Sequence, residues 1–358
     1  MTDTNDIRAA LTEMAQRLFS EQVNAKLLGA AKREGWSAAL WNELEAAELP
    51  RVGVPEDAGG AGGTLSDAAA VLRIAARHAA PAPLAETMLA GWLLASSGLK
   101  ATRGLLTVAS TNNGAIQAVK EGATWRVTGT LKRVPFARAA KHLVLLAAGH
   151  VFSVEAMHAR VTPGRNLASE ARDDVVLNHA VARAAAPTAI TPEQLHARGA
   201  LLRAVQIAGA LEGALDLACE YARTRVQFGR KIAQYQAIQQ EVARCGGEVA
   251  AAVAATLSAA GVVERLADAT GADAEQQRLI AVASAKVRAA DAAREAVAIT
   301  HQVHGAIGVT DEYALYHFTL RTLAWREEFG NEVYWARQLG RAMQQSGADA
   351  YWPVLSAA

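Results

Sequence analysis

Near the start of the chain Ile7, Leu11, Met14, Leu18, Phe19 and Val23 recur three and four positions apart, which predicts an amphipathic helix over about 7–28. Trp36 and Trp41 open a second helical pattern that runs to Leu49 and Pro50. Gly59, Gly60, Gly62 and Gly63 then interrupt the periodicity, and a further helix follows with Ser66 as its expected N-cap. From about Thr102 to Ala186 the period changes. GLLTVAST, WRVTGTLKRVPFA, KHLVLLAAG and HVFSVEA are short β-rich runs broken by glycine, charge or proline, which predicts a strand domain. Beyond it, Thr191-Pro192-Glu193-Gln194 has the form of a capping box with proline at the first helical position. Long alanine-rich helices are expected over about 195–225, 233–270 and 274–301, and a final pair after Gly308. Long helices in succession predict a bundle. The expected fold class is α+β, mainly α, with an N-terminal helical domain over 1–101, a middle β-domain over 102–188 and a C-terminal four-helix bundle over 189–358.

Composition narrows the function classes. The chain has 358 residues, 51% of them hydrophobic, which suits two or three domains with large cores and excludes a disordered chain. A formal net charge of +1 gives no reason to expect nucleic acid or an anionic membrane as partner. Cys219 and Cys245 lie in helical patterns without a C-x-x-C spacing, which reads as two reduced, buried thiols. No apolar run accompanies Asp3 and Asp6, so no signal peptide is expected, and the location is read as cytoplasmic. The uncharged, mostly alanine and valine run Val249–Val263 is shorter than the roughly 18–20 residues of a membrane span and reads as a core helix.

Two simple cofactor devices are absent from the sequence pattern. The glycine loop would need a preceding strand and a glycine where Leu65 stands to match G-x-G-x-x-G, so it reads as a turn feeding a helix. His301 and His304 lie three apart with no third ligand beside them, so no metal site is expected. A nucleotide cofactor would need another holder. Arg225-x-x-Phe228-Gly229 offers one, because a guanidinium pairs bidentately with a pyrophosphate. Phe228-Gly229 reads as the end of a helix, with Gln236 and Gln239 one turn apart on the next. The segment HQVHGAIGVTDE over 301–312 adds the Gln302 amide and Gly305, which lets a ligand approach backbone N–H groups.

These two segments resemble the signature of the acyl-CoA dehydrogenase family. There, an R-x-x-F-G loop and a glutamine-bearing helix hold the pyrophosphate end of FAD across a subunit interface, and a second segment, Q-x-x-G-G-x-G-x-T-x-E, joins them. Gln302, Gly305, Gly308, Thr310 and Glu312 stand at matching places, with Ala306 where the second glycine more often stands. The V-P-E-x-x-G-G-x-G order from Val54 is similar to the family's N-terminal domain. TWRVTGTLKRVPFARAAKHLVLLA resembles its middle β-domain, which brings Arg133, Val134 and Pro135 toward the isoalloxazine. The family's E-P-x-x-G-S-D segment is replaced by Val108–Asn113, leaving Ser110 or Thr111 as the hydroxyl for the flavin.

The resemblance implies FAD as cofactor, with Arg225, Gln227, Phe228, Gln236, Gln302, Val303, Gly305, Ala306 and Val134 as its contacts. It implies α,β-dehydrogenation of an acyl-CoA thioester, a carboxylate taking the α-proton while flavin N5 takes the β-hydride, and an electron-transfer flavoprotein as acceptor. Counting from Gly308, the family's x-E-G-T glutamate falls on Phe329, so Glu328 is the expected base and Glu327 the second choice. The other position used for the base in this family falls near Gly199, where no acid stands. Arg321 is expected to pair with Asp311 or Glu312. The likeness implies a homo-oligomer or a hetero-oligomer. The short chain, altered middle domain and displaced glutamate also resemble the smaller subunits of bacterial α2β2 acyl-CoA dehydrogenases acting on steroid side-chain thioesters. On that likeness the chain is a non-catalytic, cofactor-sharing partner. A flavin monooxygenase on the same fold, which needs no such glutamate, is a third alternative.

Overall fold

The computed structural model describes residues 2–310, 312–347 and 349. Its N-terminal helices are α1 (Thr2–Gln22), α2 (Ala25–Glu34), α3 (Ala38–Ala46), α4 (Leu65–Arg77) and α5 (Leu84–Ala95). Strands β1 (Leu106–Ser110), β2 (Gly114–Glu121), β3 (Thr124–Pro135), β4 (His142–Ala147), β5 (His150–Glu155), β6 (Ala159–Thr162) and β7 (Arg172–Pro187) follow. Then come α6 (Pro192–Thr224), the short strands β8 (Val226–Gln227) and β9 (Arg230–Lys231), α7 (Gln236–Arg265), α8 (Ala272–His304), α9 (Leu315–Glu327) and α10 (Glu332–Ser346). The succession of helices, strands and helices is the mainly helical α+β fold that the patterning predicts.

Local chemistry sets the element ends. The helix expected over 7–28 is two helices, broken between Gln22 and Ala25, where Asn24 is a poor helix-interior residue. Ser37 caps α3, its Oγ accepting from Leu40 N at 3.2 Å. At α4 the cap is Thr64 and not Ser66: Asp67 N donates to Thr64 Oγ1 at 3.3 Å and Thr64 N donates to Asp67 Oδ2 at 2.9 Å, a reciprocal box closed by aspartate. The glycine loop before it folds on itself, with Gly62 N bonded to Val54 O and Gly53 N to Gly62 O. The box at α6 forms as read, Gln194 N donating to Thr191 Oγ1 and Thr191 N to Gln194 Oε1.

The chain divides into two compact units, each made of separate stretches. The first, Lys26–Ala68 and Pro81–Gly199, holds the sheet. Its strands run in the order β1-β4-β5-β7-β3-β2, with β6 also on β7. Only β1 and β4 pair in parallel among the described strands. Buried α5 is fastened to β1 where Thr87 Oγ1 donates to Leu106 O and accepts from Leu106 N. Strand β7, unread in the sequence because Asp, Asn and Ala are poor strand formers, is made a strand by its partners: its first part pairs with β3 and β6, its last part with β5. Between Leu131 and Val134 the ladder bulges. Arg133 takes φ 54° there, and Asp174 accepts from its N at 3.2 Å and from Lys132 Nζ at 2.6 Å.

The second unit, Met1–Ala25, Ala69–Ala80 and Ala200–Ala358, is mainly helical in its described residues. Gly209 and Gly213 let α6 pass close to the last turns of α4: a Cβ on Gly209 would lie 2.1 Å from Arg73 O, and one on Gly213 would lie 2.3 Å from Arg77 O. Arg73 closes this contact on Glu212 and Arg77 on Asp216. Helix α7 is long and apolar enough by composition to cross a membrane, yet Val249, Ala252, Ala259 and Ala260 are buried within the unit and Glu248 pairs with Arg288 of α8. That is the pattern of a core helix. Cys245 on the same face is wholly buried, and burial pushes its thiol up to about 12. Cys219 is half-buried and also free.

Candidate functional site

The two motif segments are rooted side by side in the helical unit. Tyr221, in the last turn of α6, stacks on His304, the last residue of α8, with ring centroids 4.6 Å apart. His304 is fixed on both nitrogens, Nδ1 lying 2.7 Å from Thr300 O and Nε2 3.1 Å from the Tyr313 hydroxyl. His301 Nε2 lies 3.0 Å from Thr319 Oγ1. Burial lowers the pKa of both imidazoles, so they serve the packing as neutral rings. No cluster of metal-ligating side chains occurs among the described residues.

From this root α6 ends at Thr224, and the chain enters a hairpin. Phe228-Gly229 does not terminate the helix. It is the two-residue turn between β8 and β9, with φ 54° and 81°, because two positive φ values match the twist of a tight hairpin. Ile232 N bonds back to Arg225 O, the Tyr235 hydroxyl donates to Gln227 O, and the Arg230 guanidinium lies 4.0 Å over the Tyr235 ring. Arg225, Gln227 and Gln236 are exposed, and Phe228 is 93% exposed at the tip. Residues 225–231 carry three cations and no acid. This donor set fits the phosphates of FAD.

On the second segment Gln302 is exposed in the last turn of α8, while Val303 is buried and faces the packing. Gly305 ends the helix with φ 65°, and a Cβ built there would meet nothing, so the backbone stands open to a ligand. Ala306 is exposed beside it. Gly308 is packed, its place for a Cβ only 3.0 Å from His304 Cβ. In the sheet the Val134 side chain differs from its expected place, and of the two candidate hydroxyls one is committed elsewhere. Val134 is wholly buried in the sheet core, because the bulge at Arg133 turns it inward, so its side chain is not a ligand surface. Ser110 is buried and committed to its own turn, its Oγ accepting from Asn112 N, while Thr111 is exposed.

The acidic pair lies elsewhere in the unit, about 27 Å from the root by the 1.5 Å rise along α6 from Arg203 to Tyr221. Glu327 is exposed and accepts from Asn331 Nδ2 at 3.2 Å. Arg326 pairs with Glu332, which raises the pKa of the arginine and lowers that of the carboxyl. Glu328 caps the end of α9, and its Oε2 accepts from Arg203 Nε at 2.8 Å. Behind it, Lys286 Nζ donates to the carbonyls of Trp325 and Glu328. Arg321 is buried and donates to His317 O, while Asp311, one of its expected partners, lies outside the described residues. Arg203 and Lys286 went unread in the sequence. Their only signal is a lone cation inside an apolar run, ALLRAVQIAGAL and IAVASAKV.

Comparison with known proteins gives this geometry a family. The N-terminal domain of acyl-CoA dehydrogenase matches residues 5–104 and the C-terminal domain matches residues 188–344, on either side of most of the sheet. Acyl-CoA dehydrogenase IpdE2 of Mycobacterium tuberculosis is 30% identical over 320 residues, which span 88% of this chain and 90% of that protein. Among solved structures, the Tcur3481-Tcur3483 steroid ACAD G363A variant superposes with a TM-score of 0.83 at 26% identity, covering 96% of this chain and 99% of that one. The ChsE4-ChsE5 complex from Mycobacterium tuberculosis shares the fold, with a TM-score of 0.80 at 24% identity over 95% of this chain and 98% of that one. The chain belongs to the acyl-CoA dehydrogenase family, FAD-binding oxidoreductases that act on acyl-CoA thioesters.

Proposed function

We propose that this chain takes part in the FAD-dependent α,β-dehydrogenation of an acyl-CoA thioester, with electrons passed on to an electron-transfer flavoprotein. The observation that carries this reading is the Tyr221–His304 stack, which roots the Arg225 hairpin and the Gln302–Gly305 segment at one end of the helical unit. When bound, the flavin supplies the hydride acceptor. Arg225 pairs with its phosphates, Gln227 and Gln302 offer amide donors, and Gly305 allows close approach of the backbone. Glu328 takes the α-proton of the acyl group, its carboxylate oriented by Arg203. Because the hairpin lies about 27 Å along α6 from the Arg203–Glu328 pair, the two serve different flavins, and the working form is an oligomer of like or unlike chains.

The Arg203–Glu328 pair also favours a second reading, in which the chain is a cofactor-sharing subunit of a hetero-oligomeric acyl-CoA dehydrogenase. A carboxylate already bonded to a buried guanidinium is a weaker proton acceptor, and the base then comes from the partner chain. ChsE4-ChsE5 is a complex, and Tcur3481-Tcur3483 carries two chain names, both of which suit this reading. The two are separated by purifying the chain alone, measuring FAD per protomer and adding a panel of acyl-CoA thioesters anaerobically. Bleaching of the flavin by the lone chain supports the first reading; bleaching only after a second chain is added supports the second.

A further inference from the structure

Lys286, in the interior of α8, is wholly buried. Its Nζ donates to Trp325 O at 2.8 Å and to Glu328 O at 2.9 Å. These carbonyls stand at the C-terminal end of α9, where the macrodipole is negative, and Trp325 O also accepts from the cap N–H of Glu328 at 3.2 Å. Arg203 from α6, Glu327 and Glu328 from the end of α9 and Glu332 from α10 are the charges acting on it. The next carbonyl along, Phe329 O, accepts from the indole Nε1 of buried Trp335 at 2.8 Å. Phe329 and the following Gly330 both take positive φ, 54° and 84°, a conformation that a phenylalanine holds only under constraint.

A buried lysine is a poor choice for stability alone, since a methionine would fill the same space without a charge to desolvate. Burial lowers its pKa to about 7, and even the neutral amine keeps two N–H groups for its two carbonyls. What the side chain achieves in either state is geometric. It fixes the main chain of the turn whose first residue is Glu328, while Arg203 fixes that residue's carboxylate.

We propose that Lys286 is a positioning residue, holding the Glu328–Gly330 turn from behind so that the Glu328 carboxylate stays where it acts on the acyl group. This rests on Glu328 being the base.

The test compares wild type with Lys286→Met and Trp335→Phe, each as the FAD-loaded protein in its working assembly. Flavin content, the rate of anaerobic bleaching at saturating acyl-CoA, the acyl-CoA concentration giving half the maximal rate, and hydrogen exchange of the amides over 327–331 are measured. In Lys286→Met the expected result is a tenfold or greater fall in the bleaching rate, less than a twofold change in the half-saturating concentration, unchanged flavin content and faster exchange confined to the turn. Trp335→Phe, which loosens the same turn through another anchor, is expected to move the same two quantities less. Should Lys286→Met fail to fold, Trp335→Phe decides by itself. A bleaching rate that stays at the wild-type value while the turn exchanges faster overturns the proposal, as does a turn whose exchange is unchanged. If wild type itself bleaches and Glu328→Gln bleaches equally fast, the assignment of Glu328 as base has failed, and the role of Lys286 falls with it.

Discussion

Arg203 on α6 places both Nε and Nη2 at 2.8 Å from one oxygen of Glu328, Oε2, across 125 residues of sequence. The guanidinium is 2% exposed and the carboxylate side chain 15%, so the pair sits in a medium where charge is poorly screened. It ties α6 to the end of α9 and commits the candidate base to one orientation.

Removing one member of such a pair leaves the other uncompensated. Arg203→Met is expected to lower the unfolding free energy by about 3 kcal/mol, the usual scale for breaking a buried ion pair. Glu328→Gln, whose amide oxygen still accepts from Arg203, is expected to cost about 1 kcal/mol. Denaturant unfolding of both single variants and the double variant checks this. The pair should give a coupling energy above about 0.5 kcal/mol, and strict additivity would mean that the contact contributes nothing.

Lys286 makes stability depend on pH in a definite direction. Burial lowers its pKa from 10.5 to about 7, so between these values the unfolded chain binds more protons than the folded one. Stability then rises with pH across that window, and the cost of burying the charge is fully present below about pH 7. In Lys286→Met this contribution vanishes. Unfolding free energies at pH 6.5 and pH 9 should differ less in the variant than in wild type, by an amount on the order of 1 kcal/mol or more.

The crossing of α6 and α4 depends on a missing side chain. With Arg73 O only 2.1 Å from where a Cβ would stand, Gly209→Ala forces backbone apart and is expected to destabilise by about 2 kcal/mol, despite the better helix propensity of alanine. Gly247, where a Cβ would meet nothing within 4 Å, is the control: Gly247→Ala should be neutral or stabilising. Thermal unfolding of the two variants tests the contrast.

Arg225→Ala is expected to weaken FAD binding about tenfold to a hundredfold, the effect of losing a charge-assisted bond to phosphate. Its thermal midpoint without added FAD should stay near wild type, because the guanidinium is exposed. Titration of the apoprotein with FAD measures the loss, and an unchanged affinity would remove the hairpin from the cofactor site.

Element types were legible wherever a local signal decided them, as at Thr191–Gln194, where the capping box names its own helix start. Two failures share one cause. At Phe228-Gly229 a glycine after a helical pattern looks the same whether it ends the helix or turns a hairpin, and the choice is made by the pairing of Val226 with Lys231. At Val134 the strand was legible, but the bulge that turns the side chain inward depends on Asp174, a residue of β7. Arg203 and Lys286 were illegible for a related reason. A lone cation in an alanine-rich helix is ordinarily solvated, and only the fold brings Glu328 to one and two carbonyls to the other.

The most direct test of Glu328 as the base is the anaerobic visible spectrum of the FAD-loaded chain before and after an acyl-CoA thioester is added, for wild type and Glu328→Gln. The wild-type flavin is expected to bleach, and the variant, with FAD bound to the same level, to bleach at least a hundredfold more slowly. Bleaching of the variant at the wild-type rate would contradict this and would move the base to another residue or to a partner chain.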